Sequence, residues 1–315
     1  MKRGLSLFLL CWVALAGAQN YPAKPVRVIV AVGPGGTDDF VARQVAAKLS
    51  ELLGQQFFVE NRPGAGGMIG QSFVAKSPPD GYTLLLAGGS MAGAKYVNAN
   101  MGYDLVRDFT PISVVEMSPF VLVVNTAFPA RSVSEFIAHA RANPGKLTFG
   151  TLGAGQIPYW SVALFNSMAA VNAVEVQYKS VPDAIVDILA GRLDYSFVPL
   201  GNAAGNREKL RSLAITTRER AEMMPEVPTM AEAALPGYEM SAWRSIMGPA
   251  GMSAETVRIL NQAIVRGMAA ADVRERFIKA GSVPLSGTPE ELRKRYEDWS
   301  AIFGKIAKDV GIQPH

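Results

Sequence analysis

The sequence predicts an α/β protein of two domains, with helices flanking parallel or mixed sheets and two chain crossings that form a hinge. Three observations carry this expectation. Apolar strand-like runs alternate with helix-like stretches from Val26 onward. The alternation restarts at Leu147, after a β-rich run from Ile112 to Val124 that Ser118-Pro119 interrupts. Pro225, Pro228 and Pro236 then cluster before a last strand-like run, Ala242 to Met247.

Residues 1–18 read as an export signal. Met1-Lys2-Arg3 supplies the charge, Leu5 to Leu15 the apolar run, and Ala16-Gly17-Ala18 the small residues that precede cleavage. No later run approaches the roughly 20 apolar residues of a membrane helix, so a soluble exported protein is expected. The single cysteine, Cys11, follows Leu10 where a lipid-attachment signal wants a small residue, and it departs with the signal. Disulfides, thiolate chemistry and cysteine metal sites are thereby excluded, and no cofactor is expected. Loss of Lys2 and Arg3 lowers the formal net charge of +4 by two, and without a basic stripe no nucleic-acid partner is expected. A hydrophobic content of 49% over this length suits two medium domains better than one large core.

The first strand runs from Val26 to Val32. The helix after Asp39 is predicted from Val41, Ala42, Val45, Ala46, Leu49, Leu52 and Leu53, which repeat at helical spacing, with Gly54 placed to end it. Phe57 to Glu60 and Tyr82 to Ala87 read as further strands around a short helix, Gly70 to Ala75. In the second series Leu147 to Gly150 is a strand, a helix covers Trp160 to Met168, and strands follow at Val174 to Tyr178 and Tyr195 to Val198. The expected domains are 19–117 with 229–315, and 118–228, and the protein is read as a monomer.

The first strand leads into Gly33-Pro34-Gly35-Gly36-Thr37-Asp38-Asp39. Glycines admit close backbone approach, and a helix start offers unpaired amides with partial positive charge, which together suit a carboxylate. Thr151-Leu152-Gly153-Ala154-Gly155-Gln156 repeats the arrangement in the second series. A dinucleotide fingerprint needs glycine where Asp38 stands, and neither loop carries Gly-Lys-Ser/Thr, which argues against nucleotides. Gly88-Gly89-Ser90-Met91-Ala92 resembles a nucleophile elbow but lacks its final glycine. The only histidines are His139, in a predicted surface helix, and His315 at the end of the sequence, so neither a histidine triad nor a paired-histidine zinc site assembles. Asp38 and Asp39 read as cap and dipole partners, with an acid/base pair the alternative. Trp243 reads as core. Arg244 reads as a solvated charge or as a clamp for a second carboxylate. One of Tyr159 and Trp160 is expected to wall the ligand.

The chain resembles the Bug family, the extracytoplasmic solute receptors of tripartite tricarboxylate transporters. The resemblance rests on Tyr21-Pro22-Ala23-Lys24-Pro25, Pro34-Gly35-Gly36 with Asp39-Phe40-Val41-Ala42-Arg43, Val59-Glu60-Asn61-Arg62-Pro63-Gly64-Ala65-Gly66-Gly67 and Asp80-Gly81-Tyr82-Thr83-Leu84-Leu85. It continues through Tyr103-Asp104, Asp108-Phe109-Thr110-Pro111, Pro144-Gly145-Lys146-Leu147, Tyr178-Lys179, Val227-Pro228-Thr229, Leu235-Pro236-Gly237, Trp243, Pro249-Ala250-Gly251 and Gly287-Thr288-Pro289-Glu290. It implies a periplasmic binding protein of Venus-flytrap form, not an enzyme, that hands a small carboxylate to the membrane subunits of a transporter.

The implied ligand contacts are Gly35, Gly36, Thr37, Asp38 and Asp39 on one loop and Thr151, Gly153, Gly155 and Gln156 on the other. Gly88, Ser90, Tyr159, Tyr178, Pro199 and Arg244 complete the expected lining. Asp38, Met68, Gly88-Gly89, Tyr159 and Val198-Pro199 depart from the family pattern toward a more apolar pocket. An aromatic or apolar-bodied mono- or dicarboxylate, terephthalate for example, is therefore expected over an amino acid. The alternatives are a sensory receptor of the same fold and an exported α/β hydrolase using Ser90.

Overall fold

The computed structural model describes residues 21–153 and 156–314, so the expected export signal lies outside the described residues. Among those residues no helix is long and apolar enough to cross a membrane.

The first domain opens with β1 (Val26–Val30), α1 (Thr37–Leu53), β2 (Phe57–Asn61), α2 (Met68–Ala75), β3 (Thr83–Gly88), α3 (Ala94–Val97) and β4 (Phe109–Ser118). The second comprises β5 (Phe120–Asn125), α4 (Val133–Ala142), β6 (Thr148–Thr151), α5 (Ile157–Ala169), β7 (Val174–Gln177), α6 (Val181–Leu189), β8 (Tyr195–Pro199), α7 (Leu200–Gly205), β9 (Leu210–Ile215) and α8 (Met230–Ala233). The chain then returns through β10 (Ala242–Pro249), α9 (Ala254–Met268), α10 (Ala271–Lys279), β11 (Val283–Pro284) and α11 (Pro289–Val310). The six-stranded first sheet has the order β11-β4-β10-β3-β1-β2, and the five-stranded second sheet β7-β6-β8-β5-β9.

The central strands β3 and β5 read as near-continuous apolar runs because both faces of their sheets are covered there. Val26, Val28, Ile29 and Val30 are all buried, some under the stripe Val41, Val45 and Leu49 of α1. That helix ends where the sequence says it should: Gly54 takes a φ of 69°, and its amide closes on the Ser50 carbonyl at 3.1 Å. A second apolar cluster spans both domains, and within it the Trp160 ring of α5 lies 4.6 Å from the Phe303 ring of α11.

Pro119 separates β4 from β5 because it has no amide to give to a ladder. At this crossing Thr216 acts as a pin. Its hydroxyl accepts from the Phe120 amide at 3.0 Å, its amide donates to the Phe120 carbonyl at 3.0 Å, and its carbonyl accepts from Met240 at 3.0 Å. Both crossings are thus bonded to one buried residue.

The return crossing comes later than the expected boundary at residues 228 and 229. Pro228 turns the chain back, so that its carbonyl accepts from the Ile215 amide at 2.8 Å and Thr229 bridges to β9. Tyr238 donates to the Ser161 carbonyl at 2.9 Å, in the second domain. Leu235, Tyr238 and Met240 are buried, so apolar continuity holds residues 229–238 to the second sheet and the prolines do not mark the crossing.

Trp243 opens β10 fully buried, its ring 4.7 Å from Tyr296 and 5.6 Å from Trp299. A Cβ added at Gly89 would lie 2.5 Å from this indole, whereas one at Gly88 would meet only the Ser90 hydroxyl at 3.6 Å. Gly89→Ala is expected to cost about 1–3 kcal/mol, as overpacking of a rigid core does, while Gly88→Ala stays near wild type. Urea midpoints at unchanged m-value check the pair.

Candidate functional site

Strand direction places the candidate site. In the first sheet β1, β2 and β3 are mutually parallel, and β10 runs antiparallel to both β3 and β4, so β1 to β4 all end on one edge. In the second sheet β5 starts at the crossing and runs antiparallel to β8 and β9, while β6 is parallel to β7 and β8. The carboxyl ends of β6 to β9 therefore also turn toward the crossing. The loops after β1 and after β6 both emerge at this junction, where open α/β sheets bind ligands.

In the first loop Gly35 takes a φ of 90°, in the region that favours glycine. Its amide donates to Asp39 Oδ2 at 3.1 Å. The same carboxylate receives Arg43 Nε at 2.9 Å and Nη2 at 3.0 Å, and Asn61 Nδ2 at 3.0 Å. Asp39 is buried, and the hydrogen bond from Arg43 outweighs burial and pulls its carboxyl down to about 2. Asp39 is thus the scaffold of the loop. Gly33 to Thr37 are exposed, and α1 starts at Gly36 without a side-chain cap. Its first-turn amides are left for another acceptor.

The second loop is built by the same device. Gly153 has a φ of 94°, and its amide donates to Thr151 Oγ1 at 3.0 Å. The Thr151 hydroxyl donates its proton to Glu175, and the Tyr178 amide donates to the Thr151 carbonyl at 2.9 Å. Thr151 is buried, so it holds the turn as Asp39 does. Helix α5 begins at Gln156 with no side-chain cap and with Pro158 in its first turn. Helices α4, α9 and α11, which start at the opposite edges of the sheets, are capped by Ser132, Ser253 and Thr288, and α6, which follows β7 on the same edge as α5, is capped by Ser180. Gly155 lies outside the described residues.

The other expected residues divide. Gly88 ends β3 and leaves open space on its Cβ side out to Ser90, which is half-buried in the turn that follows. Tyr159 stands in the first turn of α5 with its ring against Trp160, 5.8 Å away, and burial and then Glu175 raise its hydroxyl pKa. Pro199 closes β8 opposite Phe120 at the crossing. Tyr178 brings only its backbone to the edge. Its hydroxyl turns along α6 to donate to Asp187 at 2.9 Å, and burial, then Asp187, push it up to about 12. Val198 is buried in the cluster beneath α6 and α7 and adds nothing apolar to the gap. His139 packs on Phe128 in α4 of the second domain, away from Ser90 in the first. His315 lies outside the described residues.

Arg244 is neither solvated nor a free clamp. Its Nε donates to Asp38 at 2.5 Å, and its Nη1 to Glu116 at 2.8 Å and to Ser118 Oγ at 3.1 Å. Burial alone would lower this guanidinium's pKa, but Glu116 and Asp38 outweigh it and raise it. Asp38 is accordingly a partner of the protein's own cation, not half of an acid pair with Asp39. The sequence reading missed Glu116, Ser118 and Ser282, whose hydroxyl lies 3.1 Å from that of Ser118. The available signal was an acid inside the apolar run of β4.

Two hollows lie elsewhere. One of about 410 Å³ is lined by Met91, Tyr96, Met101 and Ala301, and one of about 370 Å³ by Met117, Leu200, Met223 and Arg295. The turns after β1 and β6 line neither.

Residues 41–312 match the family described as TctC, tripartite tricarboxylate transporter family receptor. BugT of Bordetella pertussis is 33% identical over 304 residues, covering 95% of this chain and 93% of the relative. The solved structure of Rpa4515 of R. palustris with adipate has a TM-score of 0.81 at 34% identity, over 94% of this chain and all of that one. MatC of Rhodopseudomonas palustris with bound malate has a TM-score of 0.76 at 29% identity, over 91% of this chain and 99% of that one.

The Asp39 carboxyl sits below its ordinary 3.8 in the folded state, at about 2. Its contribution is therefore complete above the unfolded value and lost as pH falls through the folded one, and it amounts to roughly 2 kcal/mol. Asp39→Asn is expected to lose about that much stability at neutral pH and to show less further loss between about pH 4 and about pH 2 than wild type. Denaturant titrations at several pH values read both effects.

Proposed function

We propose, for a chain that belongs to the tripartite tricarboxylate transporter receptor family, that it is a periplasmic receptor which captures a small carboxylate between its domains and delivers it to the membrane subunits of such a transporter. The observation that carries the reading is the matched pair of turns. Each has a glycine near +90°, each is pinned by its own side chain, and each opens an uncapped helix at the junction of the sheets. Amides of both starts take the carboxylate oxygens, directly or through ordered water, and approach of the domains removes the pair from solvent. Capture rather than turnover fits the placing of His139, which packs on Phe128 in the second domain and not beside the half-buried Ser90.

The adipate and malate of the two solved relatives support the carboxylate class. The open Gly88 and the half-buried Tyr159 ring support an apolar or aromatic body. The reading therefore extends to carboxylates with a body of that kind.

Thermal-shift measurements against a panel of carboxylic acids should find ligands that raise the melting temperature, since only the folded state binds them; at about 100 times Kd the gain is about 2.7 kcal/mol. Thr37 is exposed at the start of α1, so Thr37→Glu favours the helix dipole while setting a fixed anion in the seat. The variant should melt no lower than wild type and bind the acid about tenfold or more weakly. Undiminished affinity would remove the helix starts from the site.

A further inference from the structure

Resting on the carboxylate reading, we infer that Asp38 occupies the seat on Arg244 that a second ligand carboxylate would take, and so makes this receptor selective for monocarboxylates over dicarboxylates of the same skeleton.

The cluster is fully traceable. Glu116 accepts at both oxygens, from Arg244 Nη1 and from the Ser118 hydroxyl, the pattern of an ionised carboxylate. The only proton of Ser118 goes to Glu116, so Ser282 must donate in the contact between the two hydroxyls. Arg244 then faces two carboxylates, with Asp38 on Nε and Glu116 on Nη1, and one positive charge stands against two negative ones.

Position converts this charge count into selectivity. Glu116 is buried on β4, and Arg244 enters β10 directly opposite it and opposite Gly88 of β3. Asp38 is the second residue of α1, beside the amides proposed to take the first carboxylate. Its side chain is 31% exposed, and only Oδ1 is engaged among the described residues. A ligand reaching from α1 toward β10 therefore meets an anion before it meets the guanidinium. A second carboxylate would have to displace Asp38 or sit beside it, whereas a methyl group, a ring edge or a hydroxyl donor would not.

The test measures dissociation constants by calorimetry for two matched pairs, hexanoate with adipate and benzoate with terephthalate, on the whole protein and on Asp38→Ala and Asp38→Asn. Both variants leave Arg244 paired one-to-one with Glu116, so no buried charge is orphaned, and the isosteric Asn is the more conservative of the two. Wild type is expected to prefer the monoacid of whichever pair fits. Either variant should shift the diacid-to-monoacid affinity ratio toward the diacid by about tenfold or more. A uniform gain for both acids would mark Asp38 as a general repulsive charge and overturn the inference, as would a wild type that prefers the diacid. Failure of all four acids to bind would instead overturn the carboxylate reading, and this inference with it.

Discussion

Arg244 stands where three separate stretches of chain must agree: the end of β4, the start of β10 and the first turn of α1. Burying a guanidinium is unfavourable unless charge and hydrogen bonds compensate it, and breaking such a set from one side commonly costs about 3–5 kcal/mol. The compensation here comes from Glu116, Ser118 and Asp38, so the position of α1 over the first sheet is tied to the residues that flank the first crossing. Thr216 extends the same constraint to the second domain, because it binds Phe120 on one crossing and Met240 on the other. The two sets are joined through the chain itself, at Ser118 to Phe120 on the first crossing and Met240 to Arg244 on the second.

Around that assembly the two glycine turns are separate solutions to one problem. A helix start without a side-chain cap needs something else to hold the turn. In the first domain Asp39 does this from within the helix, taking the Gly35 amide while Arg43 and Asn61 hold its carboxylate. In the second, Thr151 does it from the strand, taking the Gly153 amide while Glu175 orients the hydroxyl. Both devices place the supporting side chain inside and leave backbone amides outside.

How much of this was legible differs residue by residue. The stripe of α1 and its stop at Gly54, the break at Ser118-Pro119 and the burial of Trp243 follow from local pattern, and each is where the sequence places it. The two glycine turns were recognisable as a pair, but their supporting residues were not. Asp39 looked like a dipole partner and Thr151 like a contact. For Tyr178, strand position says where the backbone goes and not which helix the ring will lie along. The proline cluster misled about the return crossing because turns and domain boundaries share a composition, and only the burial of Leu235 and Tyr238 separates them.

By itself the sequence determined the two-domain α/β architecture, the family, and two matching glycine turns, because periodicity, glycine and proline act between neighbours in the chain. The tertiary structure alone decided what Arg244 and Asp38 do. They are 206 positions apart, and Arg244 and Glu116 are 128 apart, so whether a charge is solvated, clamps a ligand or neutralises a partner depended on strand register. A buried charge is defined by what surrounds it, and no local pattern carries that information.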